Sequence, residues 1–215
     1  LAGDGERLRP DRIHVAPVGL QVTLADGEGI VAAQGEGGVG IYVDSPGGTN
    51  RVNNYGYLSG TEAAIDGNAA TVTNTVWITG DILSTDAGHT ITNEQSGRIY
   101  TGEVIQSAGT LTNRGEIWVG SSGTNETTIT SDLASTGRIV TGIDFATGTA
   151  DTLVVEGTAT VSGAVLVTPI NVRGGSVEVL RADRLQAGGI AVSNFTYNSD
   201  DTVTPVAPYL FDYAY

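Results

Sequence analysis

One phrase recurs along the middle of the chain. Its copies are Val52-Asn53-Asn54, Val72-Thr73-Asn74, Ile91-Thr92-Asn93 and Leu111-Thr112-Asn113, with a weaker copy at Leu133-Ala134-Ser135. The leading apolar residues are 20, 19, 20 and 22 positions apart. A second phrase follows each copy: Leu58-Ser59-Gly60, Ile78-Thr79-Gly80, Ile99-Tyr100-Thr101-Gly102, Ile117-Trp118-Val119-Gly120 and Ile139-Val140-Thr141-Gly142. A period near 20 made of strand-like pieces and turns restricts the chain to a solenoid.

Stacking the copies produces columns. One apolar column is Val52, Val72, Ile91, Leu111 and Leu133; a second is Leu58, Ile78, Ile99, Ile117 and Ile139. A third and looser one is Ile65, Leu83, Ile105 and Ile129. Three inward columns per coil predict three short strands per turn around one core, each paired in parallel with the next coil about 4.8 Å away. A helical repeat would need an apolar residue every three or four positions, which the Gly, Thr, Ser and Asn residues interrupt. Asn54, Asn74, Asn93 and Asn113 form a fourth column at a bend. Asparagine tolerates the left-handed conformation, and stacked amides can hydrogen-bond along a column. These four are read as a turn ladder rather than a sugar-binding row.

Two outward columns flank the second apolar one. The first reads Tyr57, Trp77, Arg98, Glu116, Arg138 and the second Ser59, Thr79, Tyr100, Trp118, Val140. Arg98, Glu116 and Arg138 on successive coils place one carboxylate between two guanidiniums. Tyr57, Trp77, Tyr100 and Trp118 gather on the same face. Such aromatics either cover the sheet by packing on one another or stack on a sugar or protein partner. Together these seven residues are the candidate binding face.

Composition supports the architecture and narrows the partners. The 31 glycines suit many short strands joined by tight turns. The formal charge is −14, and all ten basic residues are arginine. A polyanion would be repelled, which argues against nucleic acid and against an anionic membrane surface. There is no cysteine, hence no disulfide and no thiolate chemistry. No stretch reaches the 18 or so apolar residues that a spanning helix needs. The chain begins at Leu1, with no signal-like segment, and reads as part of a longer protein.

Residues 1–18 read as an irregular lead-in and 19–150 as the repeat array. Residues 151–215 read as a C-terminal cap of further rungs and hairpin-like strands, because a bare last rung would expose unpaired strand edges. Within it, the stretch from Val179 to Gln186 reads as a short helix or as a strand and turn.

Chemical motifs are weak. Gly35-Glu36-Gly37-Gly38-Val39-Gly40 matches the dinucleotide fingerprint in letters, but a strand and then Pro46 follow instead of a helix. The same loop brushes against a calcium-binding repeat but carries Tyr42 where an aspartate is required. His14 and His89, the only histidines, read as ordinary surface residues. Asp81, Glu103 and Asp144 follow glycine turns of successive coils; a carboxylate pair for glycoside hydrolysis would need such proximity, yet solvated turn acids are the plainer reading. No catalytic residue, cofactor site or metal site is expected.

Taken in order, the apolar-Thr-Asn and Gly-x-Ile phrases, as in Leu111-Thr112-Asn113-Arg114-Gly115-Glu116-Ile117, resemble the passenger domain of a bacterial type V autotransporter. The alternating stretch Asp151 to Gly163 and the aromatic end Tyr209 to Tyr215 are similar to that family's C-terminal cap, the pertactin-like or autochaperone region. The resemblance covers about residues 19 to 215. It implies a right-handed parallel β-helix displayed at the surface of a Gram-negative cell, anchored by an outer-membrane barrel downstream of this sequence. In a bacterial chain the sequons at Asn125 and Asn194 carry little meaning.

The expected function is therefore a non-catalytic, cell-surface passenger segment, serving adhesion or virulence as a stalk and cap. Its expected partners are a host surface protein or glycan, or like molecules on neighbouring cells. The alternatives are a polysaccharide-degrading enzyme built on the same solenoid, and a self-association module for cell aggregation.

Overall fold

A computed structural model of the chain describes residues 13–15, 21–24, 29–44, 50–68, 71–84, 89–120, 125–144, 147–171, 180–187 and 191–192. Over these residues the protein is all β, a right-handed parallel β-helix. With one antiparallel exception, successive strands do not pair with each other. Each pairs with the strand one coil later, so three sheets run along the rod.

The first sheet begins with Gln21–Leu24, Arg51–Asn54, Thr71–Asn74 and Thr90–Asn93. It continues through Leu111–Asn113 and Leu133–Ser135 into the second half of Thr152–Val161. Register keeps Val52, Val72, Ile91, Leu111 and Leu133 in one line. The second sheet carries Ile30–Ala33, Tyr57–Gly60, the start of Trp77–Ser84, the start of Arg98–Gln106, Glu116–Trp118, Arg138–Asp144 and Ala164–Asn171. Its inward line is Leu58, Ile78, Ile99, Ile117 and Ile139, as the repeat predicts. Both lines are buried and belong to one continuous core. With side chains alternating across each strand, one residue in two faces this core.

The third sheet corrects one expectation. Ile82, not Leu83, pairs with Ile65 and Ile105 and is fully buried. Leu83 aligns with Asp66 and Gln106 and is half-buried. Counting three residues on from the glycine turn works for Gly102 and Ile105 but not for Gly80. Gly80, at φ 113°, turns the corner inside one unbroken strand, Trp77–Ser84. The next coil inserts extra residues: Thr101 aligns with Gly80 and Ile105 with Ile82, an irregularity between them.

The asparagine column is a bonded seam. Nδ2 of Asn54, Asn74 and Asn93 each donates to Oδ1 of the next asparagine at 2.8 Å. Asn113 donates to Ser135 Oγ at 2.9 Å. Each Nδ2 also donates to a backbone carbonyl of the following coil, those of Trp77, Arg98, Glu116 and Arg138 at 2.8 to 3.1 Å. All four asparagines are buried. A buried amide is costly only when unsatisfied, and here both N–H groups are used. Beside the seam the corner is too tight for a side chain. A Cβ on Gly115 would lie 2.2 Å from Gly97 O, and one on Gly137 would lie 2.1 Å from Gly115 O.

Ile13–Val15 already pairs in parallel with the strand Val39–Val43, in register with Ile41 to Val43. At the other end, Thr152–Val161 stacks in parallel with Leu180–Ala187, and Ala164–Asn171 with Ala191–Val192. Leu180–Ala187 is thus a strand, not a helix. One antiparallel piece interrupts the pattern, where Thr149–Ala150 folds back on Ile143 and Asp144. The aromatic end Tyr209 to Tyr215 lies outside the described residues.

Candidate functional site

Strand alternation sends Tyr57, Trp77, Arg98, Glu116 and Arg138 outward from the second sheet, because their neighbours Leu58, Ile78, Ile99, Ile117 and Ile139 point in. Backbone pairing aligns them as one column, Tyr57 on Trp77, Trp77 on Arg98, Arg98 on Glu116 and Glu116 on Arg138. Two positions further along each strand, Tyr100 aligns with Trp118. The structure brings all seven predicted residues onto one face.

The aromatics form an unbroken row that steps from the first column to the second. Ring centroids are 4.9 Å apart for Tyr57 and Trp77, 5.6 Å for Trp77 and Tyr100, and 5.6 Å for Tyr100 and Trp118. The first two contacts are edge-to-face, at 77° and 64°, and the last is stacked, at 29°. Such pairs contribute about 0.5 to 1.5 kcal/mol each beyond area burial. The rings therefore hold one another rigid. Their outer surfaces remain partly exposed, most of all Tyr57 at 39%.

Glu116 ties the charged end together. Its Oε2 accepts from Arg98 Nε and from the indole Nε1 of Trp118, each at 3.0 Å. Its Oε1 accepts from Arg138 at 3.1 Å. The Arg98 guanidinium carbon also sits 5.8 Å from the Trp77 ring centroid, within cation–π range. The carboxylate side chain is only 18% exposed, while those of Arg98 and Arg138 are 42% and 60% exposed. One carboxylate against two guanidiniums leaves this patch locally cationic on a chain of charge −14.

Two details of the face were not legible in the repeat. Ile30 aligns with Tyr57 and is 70% exposed, which extends the row by one coil. The adjacent pair Ile30-Val31 held the signal, since in a strand one of two neighbouring apolar residues must face out. Val140, at the end of the second outward column, is buried.

Of the acids considered for hydrolysis, Asp81 and Asp144 are engaged in building the rod. Asp81 Oδ1 accepts the backbone N–H of Glu103 at 2.6 Å and of Val104 at 3.0 Å, holding the two-residue insertion of the next coil. Asp132 Oδ1 accepts Thr158 N–H at 2.7 Å, and buried Asp151 accepts Asn125 N–H at 2.9 Å and Gly142 N–H at 2.7 Å. Asp144 Oδ1 accepts Thr147 N–H at 3.3 Å in the antiparallel turn. Glu103 itself is exposed.

His89 corrects another expectation. It is 1% exposed, not a surface residue, with its carbonyl accepting from Ser107 Oγ at 3.0 Å under the turn of the next coil. The side chain of His14 lies outside the described residues. The Gly35 loop, with Thr61 and Glu62, borders an open hollow of about 730 Å³. Thr61 bridges this loop, donating from Oγ1 to Gly35 O and accepting from Gly38 N–H at 3.1 Å. Glu36 and Glu62 stand at the hollow, so phosphate would meet carboxylates there. Among the described residues, no group of three or more His, Cys, Asp or Glu is placed to hold a metal ion.

Compared with known proteins, this chain matches no protein-family model, no curated protein and no solved structure.

Proposed function

We propose that this chain is a binding rod, a passenger-type segment held at a bacterial cell surface, whose second-sheet face meets an extracellular partner. The observation that carries the reading is the outward row of Tyr57, Trp77, Tyr100 and Trp118 joined to the Arg98–Glu116–Arg138 cluster. Coil stacking alone needs only the buried lines and the asparagine seam. Rigid aromatic surface beside fixed guanidiniums is the composition that concentrates binding energy at interfaces. The enzymatic alternative is disfavoured because Asp81 and Asp144 serve the backbone of their own rod. The partner is a host glycan or protein, or a like molecule on a neighbouring cell. The resemblance to autotransporter passengers supports surface display and anchoring through an outer-membrane barrel.

Binding of fluorescently labelled protein to host cells and to an immobilised glycan panel tests this reading. Trp77→Ala combined with Trp118→Ala is expected to lower binding at least tenfold with the β circular-dichroism signal retained. Undiminished binding by the folded variant removes this face from consideration. Turnover on the same glycans, lost with Asp81→Asn or Glu103→Gln, overturns the non-enzymatic reading.

A further inference from the structure

Glu116 fixes two guanidiniums without exhausting them. Arg98 meets it through Nε and Arg138 through Nη1. A guanidinium carries five N–H donors, so each arginine has several left over. Among the described residues no other carboxylate pairs with either, and both side chains are well exposed. Trp77 steadies Arg98 from a second side. Donors held in place in this way lose little freedom when they bind. The planar fork of an arginine suits a carboxylate, which it meets through two parallel charged hydrogen bonds.

Ring surface runs beside these cations. Tyr100 and Trp118 stand two positions along from Arg98 and Glu116 on the same strands. The indole N–H of Trp118 bonds to Glu116, so the aromatic row and the charged cluster form one unit. A coil step of about 4.8 Å is close to the width of a pyranose ring. An acidic sugar seated on the guanidiniums therefore sets the next sugar against the rings.

Size and charge choose among occupants. Five coils at about 4.8 Å each give a face roughly 24 Å long, and three strand residues give a width of about 10 Å, or roughly 240 Å². A standard protein interface takes about 800 Å² from each partner. A glycan of a few sugars needs no more than this face offers. A neutral glycan would leave the spare donors of Arg98 and Arg138 unused. An extended polyanion would run past the glycine corner, where the same strands carry Asp81, Glu103 and Asp144, on a chain of charge −14. Screening at physiological salt acts over about 8 Å, so a single carboxylate at the cluster feels the two guanidiniums far more than the distant acids.

We propose that this face takes a glycan ending in one carboxylated sugar, its carboxylate on Arg98 and Arg138 and its next sugar on Tyr100 and Trp118. The proposal rests on the reading of this face as the binding surface and names its ligand class.

Ligand-detected NMR titration of the whole chain tests it, with sialyllactose and a glucuronic-acid-ended disaccharide as probes and the methyl ester of each as the neutral control. At least one acid is expected to bind, with its ester at least tenfold weaker; the acid that binds identifies the source of the carboxylate. Arg138→Gln is expected to weaken that acid at least fivefold with thermal unfolding unchanged. Arg114→Gln removes the same charge from an arginine paired with Glu94 outside the face, and should change affinity less than twofold. Binding of neither acid overturns the proposal, as does equal binding of acid and ester. Equal loss in the Arg138 and Arg114 variants also overturns it, since that reports net charge and not a site. If both acids fail while host-cell binding is lost on replacing Trp77 and Trp118, the ligand class falls and the binding-face reading stands.

Discussion

Asn74 and Asn93 lie 19 residues apart in sequence, yet Nδ2 of the first donates to Oδ1 of the second at 2.8 Å inside the protein. The contact is one link of a seam that also runs through Asn54 and Asn113. Its energetics follow from burial. Removing one member takes away a bond and leaves a neighbour's donor or acceptor desolvated and unmet.

Asn93→Ala is therefore expected to cost about 2 to 4 kcal/mol, as two links and a bond to the Glu116 carbonyl disappear at once. Ser135→Ala, at the end of the seam, removes a single acceptor and is expected to cost about 1 to 2 kcal/mol. Urea denaturation followed by circular dichroism gives the comparison. Equal costs for the two variants would contradict the seam as a stabilising unit.

Ile82→Ala and Leu83→Ala separate the two possible third columns. Truncating fully buried Ile82 is expected to cost about 2 to 5 kcal/mol. Truncating Leu83, which stands outside that column, should cost less than half as much. The reverse order would restore Leu83 to the core.

Gly115→Ala tests the tight corner. The new Cβ would lie 2.2 Å from Gly97 O and 2.3 Å from Glu94 O, both backbone atoms that cannot turn aside as a side chain would. Separation of the coils here is expected to cost about 1 to 3 kcal/mol. A melting temperature equal to that of the parent protein would show that the corner is looser than its geometry indicates.

Glu116→Gln keeps the shape of the cluster and removes its charge. Exposed ion pairs contribute roughly 0 to 1 kcal/mol each, so stability should move little. The indole N–H of Trp118 loses a charged acceptor, and its fluorescence is expected to shift while that of Trp77 does not. Measuring this in Trp77→Phe and Trp118→Phe backgrounds assigns the signal to one indole.

Asp81→Ala is expected to cost about 1 to 3 kcal/mol, because the backbone N–H groups of Glu103 and Val104 lose their shared acceptor. Glu103→Gln should be within about 0.5 kcal/mol of the parent, as an exposed side chain away from such features. Hydrogen exchange at residues 101–105 should quicken in the first variant only.

The repeat made the first two core lines, the asparagine seam and the Glu116 pairing readable, because each phrase recurs about every 20 residues and keeps its own internal order even where the spacing between the phrases widens, from 6 residues to the 8 between Ile91 and Ile99. The third line was misread at Leu83 since its offset from the glycine turn is not constant. Gly80 turns the corner without added residues, whereas the following coil carries an insertion held by Asp81. His89 was taken for a surface residue because turn residues commonly are; its backbone instead lies against the Ser107 to Gly109 turn of the next coil, a long-range neighbour that no local pattern reveals. The aromatic residues were legible as a gathering. Their step from one column to the other depends on ring size and rotamer, which a register of letters does not carry.

The seam also has a direction. Every link points the same way, with the nitrogen toward the later coil and the oxygen toward the earlier one. The amide dipoles therefore align instead of cancelling, and in a buried, low-dielectric interior each polarises its neighbour. The two ends of the seam differ accordingly: one terminates on a carbonyl oxygen at Asn54, met by the Gly56 N–H, and the other on the hydroxyl of Ser135. A coil transplanted into this protein must arrive with its own amide pointing the same way. The rod can be lengthened by whole turns, but it reads in one sense only.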